Sequence, residues 1–275
     1  MTRAATSLRR FPAGSKSSER KSDAAPAAKP RSTLPPGSYF RRTELPLTSL
    51  AFLLPIIVLY EIGTQLYATD PHSQTEQRII AFSLLQRFLL LFGANVRYLP
   101  AAAVPAILIV WHLARRDSWK VKPAHVFGMI FESLVLAIPL LLLGRASERY
   151  LAHITLAAPL AASSGAKGLL VLSLGAGVYE ELLFRLIVFA LLSFVFTDFL
   201  AMKRLPASLL MVAISGVLFA CYHYLGNEPF RLWTFAFRTL AGMYFGAVFL
   251  CRGFGVTAGC HVGYDLCVVS LRAFG

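Results

Sequence analysis

Apolar runs long enough to cross a lipid bilayer follow one another along most of this chain, and no other feature constrains its fold as strongly. A helix rises about 1.5 Å per residue, so about 20 apolar residues cover the hydrocarbon core. Such runs occupy residues 46–66, 98–114, 124–143, 166–196, 206–225, 232–250 and 255–271. Lipid offers backbone amides no partner, and a helix pairs them all within one segment. The expected fold class is all-α, a polytopic membrane helical bundle of about seven transmembrane helices. A shorter run, RIIAFSLLQRFLLLFG at 78–93, carries Gln86 and Arg87 in its middle. It reads as an interfacial or re-entrant helix, and eight spans is the alternative if it crosses. Composition agrees: 56% of the 275 residues are hydrophobic and 15% charged, whereas soluble domains carry about 25% charged residues.

Charge is distributed unevenly. The net charge is +13, and residues 1–42 alone hold ten Lys or Arg against two acids. That segment is rich in Ser, Ala and Pro and has too few large apolar residues to build a core, so a disordered basic N-terminal tail is expected. The second basic stretch, 115–122, holds Arg115, Arg116, Lys120 and Lys122 against Asp117. The positive-inside rule places both stretches on the cytoplasmic side, with an even number of crossings between them. Basic segments beside apolar spans meet anionic lipid, so the expected partner is the lipid bilayer and not nucleic acid. Four cysteines, Cys221, Cys251, Cys260 and Cys267, lie in or beside apolar runs without a CxxC pair and read as buried small hydrophobes.

Ionisable side chains inside a span are costly, so they face the bundle interior and mark function by default. Three clusters at helical spacing occupy the last third of the chain. In Glu180-Glu181-x-x-x-Arg185, Glu181 and Arg185 are one turn apart and suited to pair, while Glu180 points about 100° away and stays free to act as a base. In Phe219-x-x-x-His223 and His261-x-x-x-Asp265 the two side chains again share a helix face. Each cluster alone fits a structural reading: an ion-pair lock, a packed histidine, a His–Asp hydrogen bond. Together they supply a carboxylate to deprotonate water, a histidine to hold it, and a second pair to stabilise an oxyanion, which suits peptide hydrolysis. Glu61, Glu132 and Arg238 are further intramembrane charges with structural roles expected, Glu132 and Arg238 as a pair between helices or as cavity lining. An aspartyl protease would need a second intramembrane aspartate, and a rhomboid-type serine protease a GxSG motif; Ala213-Ile-Ser215-Gly216 lacks the first glycine.

The order EExxxR, FxxxH, HxxxD on successive apolar helices resembles the CPBP family of intramembrane proteases, which includes CAAX prenyl endopeptidases and relatives of bacteriocin-processing and immunity proteins. The resemblance implies an endopeptidase acting near or within the membrane on a membrane-associated peptide or protein substrate. It implies Glu180 as general base, His223 as its partner in holding water, and His261 with Asp265 as the oxyanion site. Glu181, Arg185 and Phe219 would orient these groups or grip substrate. Asp265, unlike an Asn, donates a hydrogen bond only when protonated, so its task is either that or the orientation of His261. Family members are often called metalloproteases; no HExxH is present. The expectation is no cofactor, with zinc on Glu180, His223 and His261 as the variant. The expected organisation is a tail at 1–42, N-terminal membrane helices at 43–123 and a protease domain at 124–272, in a bacterial inner (plasma) membrane with the tail cytoplasmic. The non-enzyme alternative is a membrane scaffold or transporter using the same buried polar residues.

Overall fold

The computed structural model describes residues 38–69, 75–93, 98–150, 165–226 and 228–274; the expected disordered tail lies outside them up to residue 37. Among the described residues the elements are helices: α1 (Tyr39–Thr43), α2 (Pro46–Tyr67), α3 (Ile80–Leu90), α4 (Leu99–Arg115) and α5 (Pro123–Tyr150). Then come α6 (Ala166–Phe199), α7 (Arg204–Tyr222) and α8 (Leu232–Phe274). Proline opens α2 and α5, a position where no backbone N–H is needed. Five helices, α2 and α5 to α8, are long and apolar enough to cross a membrane. The all-α membrane bundle is therefore what the chain forms. The 78–93 run becomes the 11-residue α3, about 16 Å long and too short to span.

α8 is a hairpin. Its 43 residues are interrupted at Gly253, whose φ of 75° and ψ of −178° are not helical. Phe245 and His261, 16 residues apart in sequence, stack with ring centroids 4.4 Å apart; a straight helix would separate them by about 24 Å. Phe237 and Tyr264 meet likewise at 6.3 Å. The arms 232–252 and 254–274 thus run antiparallel, matching the two apolar runs read at 232–250 and 255–271. Only glycine turns the chain at this φ without strain.

α6 is irregular in a different way. It is α-helical to Glu181, widens into a π-helix over Leu182–Val188, and does so again over Phe194–Phe199. π turns of this kind are rare and gather at functional sites. The helix packs closely on α8: a side chain on Gly177 would collide with the backbone of Val262. That approach sets Glu180 and Glu181 against the second arm of α8.

Buried charges outside the motifs are paired. Glu61 accepts two hydrogen bonds from Arg78, at 2.8 and 2.9 Å. The expected Glu132–Arg238 pair does not form: Glu132 binds Arg252 and accepts from Tyr39 at 2.7 Å, while Arg238 donates to Glu228 at 2.9 Å. Sequence order places Glu132 and Arg238 in spans but says nothing of their depth, and α8's fold at Gly253 brings Arg252, not Arg238, beside Glu132. Of the cysteines, Cys260 is buried, whereas Cys221 and Cys251 are exposed on the outside of the bundle.

Candidate active site

The three motifs come together from α6, α7 and the second arm of α8. Glu180 and Glu181 close the α-helical part of α6 and are both buried. One carboxylate oxygen of Glu180, Oε2, lies 4.0 Å from His223 Nε2 and 3.9 Å from His261 Nε2. Its other oxygen accepts from the Tyr222 hydroxyl at 3.4 Å. Both imidazoles therefore turn the same nitrogen towards the same oxygen. They stop about one ångström short of direct hydrogen bonds, a spacing that one bridging water satisfies.

The tautomers follow from the partners. His223 Nδ1 lies 2.8 Å from the Phe219 carbonyl, which only accepts, so Nδ1 carries the proton and Nε2 is an acceptor. α7 tightens into a 3-10 turn at His223–Gly226, and helix ends leave carbonyls available to side-chain donors. His261 Nδ1 lies 2.9 Å from Glu181 Oε1 and donates to it, leaving Nε2 facing Glu180 and Asp265. Asp265 Oδ2 is 3.6 Å from His261 Nε2; it stands beside the ring without the close contact that Glu181 makes.

Glu181 is in turn held by Arg185, with Nε 3.0 Å from Oε2. Arg185 donates to the Ser215 hydroxyl at 3.1 Å and to the Gly242 carbonyl at 2.9 Å. A chain of charge and hydrogen bonds thus runs from α7 and the first arm of α8 through Arg185 and Glu181 to His261. Both side chains are fully enclosed, so neither presents a group to a substrate. Ser215, which the rhomboid comparison singled out, is a rung of this chain. Phe219 sets its edge to both imidazoles, at 4.9 Å from His223 and 5.8 Å from His261. Phe245 covers the face of His261.

Every motif residue thus lies in one cluster. The sequence gives no motif signal for Tyr222 or Phe245, and it offers Ser215 only as part of an incomplete serine-protease motif. Tyr222 adjoins His223 and could have been noticed; Phe245 is one phenylalanine among many in an apolar helix and carries no spacing signal. Among the described residues no group of three or more His, Cys, Asp or Glu is placed to hold a metal ion, the trio Glu180, His223 and His261 included.

Residues 163–267 match the family model described as type II CAAX prenyl endopeptidase Rce1-like. That stretch is similar to the family's domain. It takes in all three motifs, and the match supports a membrane endopeptidase, consistent with the CPBP resemblance. Neither the curated proteins nor the solved structures contain a match to the chain. α5 precedes the Rce1-like stretch yet packs on it, with Ser133 donating to the Val256 carbonyl at 3.3 Å and Tyr244 donating to the Leu136 carbonyl at 2.7 Å.

Proposed function

We propose that the chain is an intramembrane endopeptidase that hydrolyses a peptide bond with a water activated by Glu180. The observation that carries this reading is the convergence of His223 Nε2 and His261 Nε2 on Glu180 Oε2. A water among these atoms gives one proton towards Glu180 and the other towards the acceptor Nε2 of His223. Its lone pair is then aimed at a substrate carbonyl. As the water attacks, Glu180 takes its proton. The oxyanion is met by His261, whose Nε2, protonated, donates to it while Glu181 fixes the ring from Nδ1. Collapse of the tetrahedral intermediate breaks the C–N bond, and Glu180 passes the proton to the leaving amine. Asp265 stands beside Nε2 as a counter-charge. Of the two tasks read for it, orientation of His261 falls mainly to Glu181. The domain extends over 124–272, because α5 is packed against the hairpin that carries His261. The substrate is a membrane-associated peptide or protein, and the reaction uses no metal.

The test is turnover of a membrane-peptide library by purified protein, read by mass spectrometry. Glu180→Gln keeps the shape and removes the base, so it should lower the rate by at least about 10²-fold, and His223→Ala should do the same, both with an unchanged melting temperature. Full activity in a strong chelator is expected. Wild-type rates in both variants would refute the hydrolase reading; loss of activity in chelator that zinc restores would refute the metal-free one.

A further inference from the structure

We propose that Thr234 and Arg238, on the first arm of α8, form an anion-binding subsite that holds a carboxylate of the substrate peptide beside His223. The proposal rests on the hydrolase reading and adds to it a recognition group outside the three motifs. Arg238 is 9% exposed, and its guanidinium is half used: Nη2 donates to Glu228 at 2.9 Å, while Nη1 is buried without a partner among the described residues. Thr234, 2% exposed, has a buried hydroxyl that is likewise unpartnered. The two are one turn apart and share a helix face. Two turns further along that face, Phe245 stacks on His261. Tyr224, the residue after His223, sets its ring 5.9 Å from the Arg238 guanidinium carbon.

Buried donors left unpaired are costly, and natural structures rarely tolerate two side by side without a ligand that satisfies them. A guanidinium N–H beside a hydroxyl suits a carboxylate oxygen, because a charged acceptor shortens and strengthens both bonds. Glu228 occupies the opposite side of the guanidinium and keeps the pair neutral when no ligand is bound. The carboxylate comes either from the free C-terminus of the substrate or from an acidic side chain near the scissile bond.

Both sources are separated by resynthesising library peptides that the wild type cleaves as C-terminal acids, as C-terminal amides, and with acidic side chains changed to amides. One of these neutralisations should raise KM about tenfold or more, with little change in kcat. Arg238→Met should raise KM for the acid to the same level and erase the acid-over-amide preference, Arg238→Lys should keep part of it, and Thr234→Val should weaken it. Removing Arg238 strands Glu228, so the double variant Arg238→Met/Glu228→Gln provides a folded background. A second arm needs no turnover: in Glu180→Gln protein, acetyl-trialanine acid, or acetyl-Ala-Asp-Ala amide as the side-chain acid, should raise the melting temperature and acetyl-trialanine amide should not, and Arg238→Met should abolish the difference. If no peptide is cleaved the hydrolase reading fails, while the melting arm still decides the subsite. Equal responses to acid and amide, or a preference that survives Arg238→Met, overturn the subsite.

Discussion

His261 is fixed from more directions than any other residue in the cluster. Glu181 holds Nδ1, Phe245 covers one face, Phe219 meets the ring edge-on, and Asp265 stands near Nε2. An aromatic pair of this kind is worth about 0.5–1.5 kcal/mol beyond its area. Phe245→Leu keeps the apolar bulk and removes the stack; melting curves should show a loss of about 1 kcal/mol, and turnover should fall through kcat more than KM. Glu181 has the sharper test. Glu181→Gln still offers Nδ1 an oxygen but leaves the enclosed Arg185 without its counter-charge, which costs about 3–5 kcal/mol. The double variant Glu181→Gln/Arg185→Met should recover most of that stability without recovering turnover. A double variant as active as wild type would show that the charge relay does not orient His261. The sequence made the motif members legible, and with them the i, i+4 pair of Glu181 and Arg185. It could not disclose that Glu181 serves His261, 80 positions later, because spacing reports only neighbours on one helix.

At the scale of elements, the hairpin of α8 does most to assemble the site. It returns the chain so that Phe245 on one arm meets His261 on the other, and Gly242 on the first arm accepts from Arg185. The break was readable as the gap between apolar runs at 250 and 255, since no single span needs 40 residues. The π turn after Glu181 was not readable, because it depends on packing and not on any local composition. Gly253→Ala places a Cβ at φ 75° and should cost roughly 1–2 kcal/mol. The strain falls on the second arm, so turnover should drop along with the melting temperature. An alanine variant as stable and active as wild type would mean that the turn tolerates a side chain there, and that the arms are held by their packing alone.

At the scale of the whole molecule, the described helices share a basic end. Arg42 donates to Ser118 at 3.1 Å and Arg252 to Thr43 at 2.9 Å, so the end of α1, the 116–122 loop and the α8 turn meet there. With Arg41, Arg115, Arg116, Lys120 and Lys122 nearby in sequence, this end carries the charge that the positive-inside rule assigns to the cytoplasm. α7 runs away from it: Gly246, near the turn, packs on Val212, whereas Gly242 packs on Gly216 and Phe219. His223 therefore lies towards the opposite end, and with 21% of its side chain exposed against 5% for His261 it is the more open side of the cluster. Substrate should enter from there. In protein whose four cysteines are replaced by serine, Lys120→Cys and Leu225→Cys should react with a membrane-impermeant maleimide from opposite faces of sealed vesicles, Lys120→Cys from the cytoplasmic one. A bulky maleimide at position 225, three residues from Tyr222 at the turn that carries His223, should slow turnover, and the same reagent at 120 should not. Labelling of both positions from one face would require the chain to cross the membrane differently from this bundle. Slowing by the label at 120 alone would put the entrance at the basic end.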